Sequence, residues 1–121
     1  MDRIKVAAEF YPIRMPAYRK DTIDLILNIE NSSPEPMWVE CDLTLPDQLS
    51  LSDGKKITKG RIRLGLLMPT QNLSRPIKVY GSVITYPDVY SIPVSVYCYN
   101  RHGQQEARHD TTASLRCEKI K

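Results

Sequence analysis

Tyr90-Ser91-Ile92-Pro93-Val94-Ser95-Val96-Tyr97-Cys98-Tyr99 decides the fold of this 121-residue chain. Its side chains alternate: Ile92, Val94, Val96 and Cys98 fall on one face, Ser91, Ser95 and Tyr97 on the other. A period of two marks a strand buried on one side only. Asn100-Arg101-His102-Gly103 supplies turn residues, and Ala107 to Cys117 runs out again as a second strand. A hairpin with one apolar face has to be covered by another layer, and the chain upstream offers matching strands.

Arg3 to Phe10 alternates, with Ile4, Val6, Ala8 and Phe10 on one side. Tyr11 to Lys20 contains Pro12 and Pro16 and reads as a loop or a strand that changes sheets. Thr22 to Asn31 points Ile23, Leu25, Leu27 and Ile29 inward, and Asn31-Ser32-Ser33-Pro34 ends it. Met37 to Leu45 alternates Val39, Cys41, Leu43 and Leu45 with Trp38, Glu40, Asp42 and Thr44. Thr58 to Met68 places Ile62, Leu64 and Leu66 inward and Lys59, Arg61 and Arg63 outward. Arg75 to Thr85 is a further strand carrying Ile77, Val79 and Val83, and Tyr86-Pro87-Asp88 turns into the stretch quoted first.

No window repeats apolar residues at three and four, so essentially no helix is expected. Residues 1–121 read as one all-β domain, a seven-stranded Greek-key sandwich of immunoglobulin type. The expected layers are the first, second, fifth and fourth strands against the third, sixth and seventh. Pro93 conflicts with a central sixth strand, which predicts a bulge or a local edge at that position. Tyr90 stands where such folds place a corner tyrosine whose hydroxyl bonds back to the backbone.

The totals allow a real two-layer core: 41% of residues are apolar and 26% charged, ordinary for a soluble globular domain. No apolar run approaches the ~18 residues of a spanning helix, and no membrane insertion is expected. Glu9, Arg14, Arg19 and Lys20 interrupt any segment of signal-peptide type. Cys41, Cys98 and Cys117 are odd in number and far apart, which is no disulfide framework. A cytoplasmic setting is expected, or an extracellular one if the chain is a domain of a secreted protein.

Several stretches resemble the CARDB-like and related immunoglobulin-like domains of archaea and bacteria. Leu27-Asn28-Ile29-Glu30-Asn31-Ser32-Ser33 resembles their strand-end V-x-N-x-G signature. Leu43 to Leu51 (LTLPDQLSL) is similar to their L-x-L-P-x-G-L-x-V stretch, and Leu66-Leu67-Met68-Pro69 stands where they carry L-x-P-G. Tyr90 to Val96 is similar to their penultimate Y-x-I-x-V-x-V strand. The resemblance implies a non-catalytic spacer or an adhesion or interaction module.

The residues offer no catalytic constellation. His102 falls in a turn and His109 on the last strand, without a nucleophile elbow or comparable signature. Cys98, His102, His109 and Cys117 are spaced 4, 7 and 8 apart, unlike compact metal-ligand pairs. No cofactor or metal is expected. Asn31-Ser32-Ser33 and Asn72-Leu73-Ser74 are sequons that matter only in an exported chain.

Charge layout is the unusual feature. Residues 21–53 hold eight acids and no Lys or Arg, whereas residues 54–87 hold seven bases and no acid. In the expected topology Lys59, Arg61 and Arg63 line the outer face of an edge strand, with Glu40 and Asp42 in the other sheet. Basic side chains there can protect an edge from pairing. They can also dock an acidic protein partner or another copy of the chain, with Trp38 as anchor. The third reading is nucleic acid bound through Lys55 to Arg63, five bases in nine residues, although no exposed aromatic is expected to interleave them as a stacking platform requires. The expectation is a non-catalytic module that binds a macromolecular partner, with Trp38, Lys59, Arg61 and Arg63 as contact residues.

Overall fold

Alternation in sequence becomes two faces of extended backbone. In the computed structural model, which describes residues 4–119, every regular element is a strand. The strands are β1 (Ile4–Tyr11), β2 (Arg14–Pro16), β3 (Asp21–Asn31), β4 (Met37–Thr44), β5 (Lys59–Leu67), β6 (Asn72–Gly81), β7 (Asp88–Tyr99) and β8 (Gln105–Glu118). Arg3, the first residue of the expected opening strand, lies outside the described residues. One sheet has the order β1-β3-β6 and the other β2-β8-β7-β4-β5.

The eighth strand is β2, in the proline-bearing stretch. After β1 the chain leaves the smaller sheet and lays Arg14 to Pro16 parallel to β8, with Arg14 opposite Arg116. Of the two expected readings, a loop or a strand that changes sheets, the second holds, and Pro16 closes β2 at the sheet edge, where a missing N–H is tolerated.

The fourth long strand corrects the expected layering. β5 does not join β1, β3 and β6; it pairs antiparallel with β4 at the edge of the larger sheet. Only Leu64 and Leu67 of β5 are buried, a thin apolar contribution that suits an edge. Inward alternation also fails in its second half. The β4–β5 register skips Leu64 between Arg63 and Gly65, and Gly65 takes φ +110°, so the bulge reverses the faces beyond it. Leu66 therefore points outward and Leu67 inward.

Inward side chains of both sheets fill one core, with Leu25, Leu27, Ile29, Val79, Ile92, Val96, Leu115 and their neighbours almost fully buried. Cys41, Cys98 and Cys117 are buried free thiols, and Cys98 stands opposite Ala107. Pro93 pairs with Thr112 of β8 and lies just beyond Val94, the last β7 residue that β4 reaches. It occupies a local edge, where a missing N–H is tolerated. Tyr90 forms the expected corner: its hydroxyl donates to the Tyr86 carbonyl oxygen, and the two rings touch at 5.9 Å between centroids.

The sandwich has two distinct ends. Tyr11 faces Asp24, Asp21 faces Gly81, Leu43 faces Val94 and Asp88 faces Cys117. These registers gather loops 12–20, 45–58 and 82–87 at one end. Tyr18 N–H donates to the Thr85 carbonyl at 2.8 Å, and Thr85 Oγ1 donates to the Gln48 carbonyl at 2.7 Å, joining the three. The opposite end carries loops 32–36, 68–71 and 100–104.

Candidate interaction surface on the five-stranded sheet

Strand pairing puts the expected contact residues on the outer face of the larger sheet. Asp42 lies between Arg61 on β5 and Ser95 on β7, and Glu40 lies between Arg63 and Tyr97. Trp38 lies between Leu66 and Tyr99. Lys59 stands apart, exposed at the far end of β5 opposite Thr44.

The acids therefore share a sheet with the bases, contrary to the expected placement in opposite layers. Arg61 grips Asp42 with both arms of its guanidinium, Nε to Oδ1 at 2.7 Å and Nη2 to Oδ2 at 2.9 Å. Its Nη1 also approaches Glu40 at 3.9 Å. The Arg61 hydrogen bond holds the Asp42 carboxyl below the usual carboxylate range, and it holds the Arg61 guanidinium firmly protonated. The segregation along the chain is the linear image of one acidic strand pairing with one basic strand.

Tyr97 extends this network across the sheet. Arg61 and Arg108 each lie over its ring, at 5.1 and 5.2 Å from the centroid. Arg108 Nε donates to Asp110 at 3.1 Å, and Ser95 Oγ donates to the same carboxylate oxygen at 2.7 Å. These two bonds, Ser95 first, hold the Asp110 carboxyl low. The middle of the face is thus internally satisfied, and Arg61 is a member of that lattice.

Beyond Glu40 the character changes. Trp38 is 52% exposed and Leu66 44%, side by side at one end of the face. A groove of about 370 Å³ runs beside them, lined by Trp38, Glu40, Arg63, Tyr99, Asn100 and Arg101. Arg63 is 89% exposed along its side chain and makes only a loose 3.6 Å approach to Glu40. Arg101 is held at the groove's rim by a rigid turn. Asn100 accepts from the N–H groups of His102 (2.9 Å) and Gln104 (3.0 Å) and donates to Glu106 at 2.7 Å.

Of the four expected residues, the structure brings Trp38 and Arg63 together, assigns Arg61 to the internal network and leaves Lys59 distant. Tyr99 and Arg101 complete the groove. Tyr99 was legible as the outward continuation of Ser95 and Tyr97. Arg101 carried only a turn signal, because its placement beside Trp38 depends on β4 pairing with β7. Aromatic rings do stand beside the bases, contributed by β4 and β7 rather than by the basic segment itself.

Other candidate chemistry is dispersed. His102 sits in an exposed turn and His109 lies opposite Val96. No group of three His, Cys, Asp or Glu among the described residues is arranged to hold a metal. Burial pushes the Cys41 and Cys98 thiols up to about 11. Asn31 is fully buried, which removes the first sequon from the surface, while Asn72 is exposed. Among the described residues no helix is long and apolar enough to cross a membrane.

No family model matches the chain, and no curated protein matches it by sequence. Solved structures match its fold. A FixG-related protein from Vibrio parahaemolyticus aligns with TM-score 0.58 and 11% identity, over 98% of this chain and 99% of that one. A non-cellulosomal cohesin from the archaeon Archaeoglobus fulgidus aligns with TM-score 0.57 and 14% identity, covering 94% and 91%. An alkylpurine DNA glycosylase from Pseudomonas fluorescens, bound to DNA containing an abasic site analogue, aligns with TM-score 0.54 and 12% identity. That alignment takes in 98% of this chain and only 31% of the glycosylase. The protein is an immunoglobulin-like β-sandwich. No family model supports the narrower resemblance to CARDB-like domains.

Proposed function

We propose that this protein is a non-catalytic interaction module that holds an acidic, extended segment of a partner protein. The segment lies in the groove between Trp38 and the β7–β8 turn. The observation that carries this reading is an exposed Trp38 flanked by Leu66, Tyr99 and two lightly neutralised guanidiniums, Arg63 and Arg101. Trp, Tyr and Arg dominate binding energy at protein interfaces, where a rigid aromatic face fills a pocket and a planar cation pairs with carboxylate. The non-catalytic part is supported by thiols that burial keeps protonated, hence poor nucleophiles, and by the separation of His102 from His109.

Selection from a random peptide display library tests it. Wild type is expected to enrich peptides rich in Asp and Glu, and Trp38→Ala and Arg63→Glu/Arg101→Glu to lose them. Enriched peptides that hold Trp38→Ala as well as wild type contradict the proposal.

A second reading draws on the same face: a base stacked on Trp38 or Tyr99 with phosphate on Arg63, as single-strand binders combine aromatic and cationic groups. It requires oligothymidylate binding that weakens steeply with salt and vanishes in Trp38→Ala.

A further inference from the structure

The other end of the sandwich carries a different surface. Among the described residues, eight of the eleven large apolar side chains that remain exposed cluster there. Tyr11 ends β1, Ile13 and Tyr18 follow in the β1–β3 connection, and Ile57 comes from the β4–β5 loop. Val83, Ile84 and Tyr86 come from the β6–β7 loop, with Val89 beside them at the start of β7.

The β6–β7 tip is the sharpest anomaly. Thr85 N–H donates to the Ser82 carbonyl at 3.0 Å, closing a turn whose two central residues are Val83 and Ile84. Turn centres ordinarily use Gly, Pro, Asn or Asp, and local chemistry explains neither β-branched residue. Both are exposed, at 69% and 53%. The tip is also held fast: fully buried Thr85 accepts from Ser82 N–H at 2.9 Å and donates to Gln48. Tyr18, whose backbone docks on Thr85, holds φ 61°, a strained conformation for an aromatic residue.

Lysines lie on the Ile84 side of this tip. A cavity of about 260 Å³ separates the 45–58 loop from the Val83–Ile84 turn. Lys20, Lys55 and Lys56 line it together with Ile84. Asp47 and Asp53 also line it, and only Lys56 approaches one of them, Asp47 at 4.0 Å. Nearby, Arg14 and Arg116 share the single carboxylate of Glu118, at 3.5 and 3.9 Å. Lysine is depleted from protein–protein interfaces, whereas clustered lysines beside apolar tips suit the phosphates of an anionic bilayer. Three exposed tyrosines fit the same level, since tyrosine concentrates at the membrane–water boundary.

We infer that this end of the sandwich rests on an anionic lipid surface. Val83 and Ile84 enter the boundary between headgroups and acyl chains, and Lys20, Lys55 and Lys56 meet the lipid phosphates. The contact is peripheral and leaves the Trp38 groove, at the opposite end, free for its partner.

Co-sedimentation with vesicles of phosphatidylglycerol in phosphatidylcholine, against pure phosphatidylcholine, tests the inference. Wild type is expected to pellet with the anionic vesicles only, and less as salt rises. Val83→Asp/Ile84→Asp removes two inserted side chains and is expected to weaken partitioning roughly 100-fold or more. Lys20→Glu/Lys55→Glu, a surface change that leaves the tip intact, is expected to weaken it by at least ~10-fold. Trp38→Ala is expected to bind vesicles as wild type does. Wild type that stays in the supernatant with anionic vesicles overturns the inference, as does either double variant pelleting like wild type. A vesicle-free wild-type dimer that Val83→Asp/Ile84→Asp turns into a monomer also overturns it, because the tips then meet another copy of the chain.

Discussion

Asn31 ends β3 with its side chain fully buried, and its amide ties three segments together. Nδ2 donates to the carbonyls of Leu67 at 2.9 Å and Glu35 at 2.8 Å, and Oδ1 accepts from Ser33 N–H at 2.9 Å. Asn31→Ala takes a buried partner from the Leu67 carbonyl and the Ser33 N–H, each loss costing about 1–3 kcal/mol, while the Glu35 carbonyl still accepts from Ser33 Oγ at 2.8 Å. A loss of roughly 2 kcal/mol or more in urea unfolding is expected, and a loss within experimental error of zero contradicts this role. In sequence Asn31 read as a strand-ending residue and a sequon but not as a buried tie, because the carbonyl of Leu67 that it meets is brought there by tertiary packing. The thiols give a pH-dependent test. Cys41 and Cys98 sit at about 11 in the folded state, Cys41 mainly through burial and also through neighbouring Asp42, against roughly 8.5 for a free thiol. A raised folded pKa contributes stability that is complete below the unfolded value and is lost as pH climbs towards the folded one. Stability is therefore expected to fall between about pH 8.5 and 11, and to fall less in Cys98→Ala. Thiol reagent at pH 8 is expected to label these cysteines only as fast as the protein unfolds.

At the scale of single strands, β5 shows where sequence legibility stops. Its existence, its outward bases and its edge position follow from alternation and charge, yet its sheet does not. Either neighbour satisfies its weak apolar face, and the deciding contacts are cross-strand pairs, Arg61 with Asp42 and Arg63 with Glu40. The bulge at Leu64 and Gly65 was likewise hidden, since Leu64-Gly65-Leu66-Leu67 reads equally well in either register beyond the glycine. Gly65→Ala forces a side chain into φ +110°, a conformation that L residues rarely adopt. It is expected to cost about 1–2 kcal/mol and to shift Trp38 emission as Leu66 moves. Unchanged emission and stability would mean that the bulge does not set the register. Asp42 offers a second check on the same pairing. Its depressed carboxyl adds stability present above the ordinary carboxylate range and lost as pH falls through the lower folded value, an effect that solvent screening keeps small. In Arg61→Gln an NMR titration of Asp42 is expected to move back up towards that ordinary range. No movement would assign the depression to something other than Arg61.

Across the whole molecule, the two-layer all-β architecture, the corner Tyr90, the buried thiols and the edge at Pro93 were all legible in the alternation and turn chemistry. The surfaces were less so. Trp38 and Arg63 were identifiable singly as outward residues, but the groove exists only because β4 lies between β5 and β7, with Arg101 arriving from a hairpin turn. The apolar end was invisible for a similar reason: Val83 read as an inward strand residue, whereas β6 stops at Gly81 and the chain turns there. What results is a body with an aromatic–arginine groove at one end and a lysine-rimmed apolar tip at the other. The reading of the groove is tested most directly by backbone and indole NMR of wild type titrated with an Asp- and Glu-rich peptide recovered on it. The chain has one Trp, so a single indole N–H resonance reports the site. The expected result is a shifted Trp38 indole with amide shifts confined to Trp38–Glu40, Arg63–Leu66 and Tyr99–Gly103. An unmoved indole, with shifts gathered on β1, β3 and β6 instead, contradicts the account.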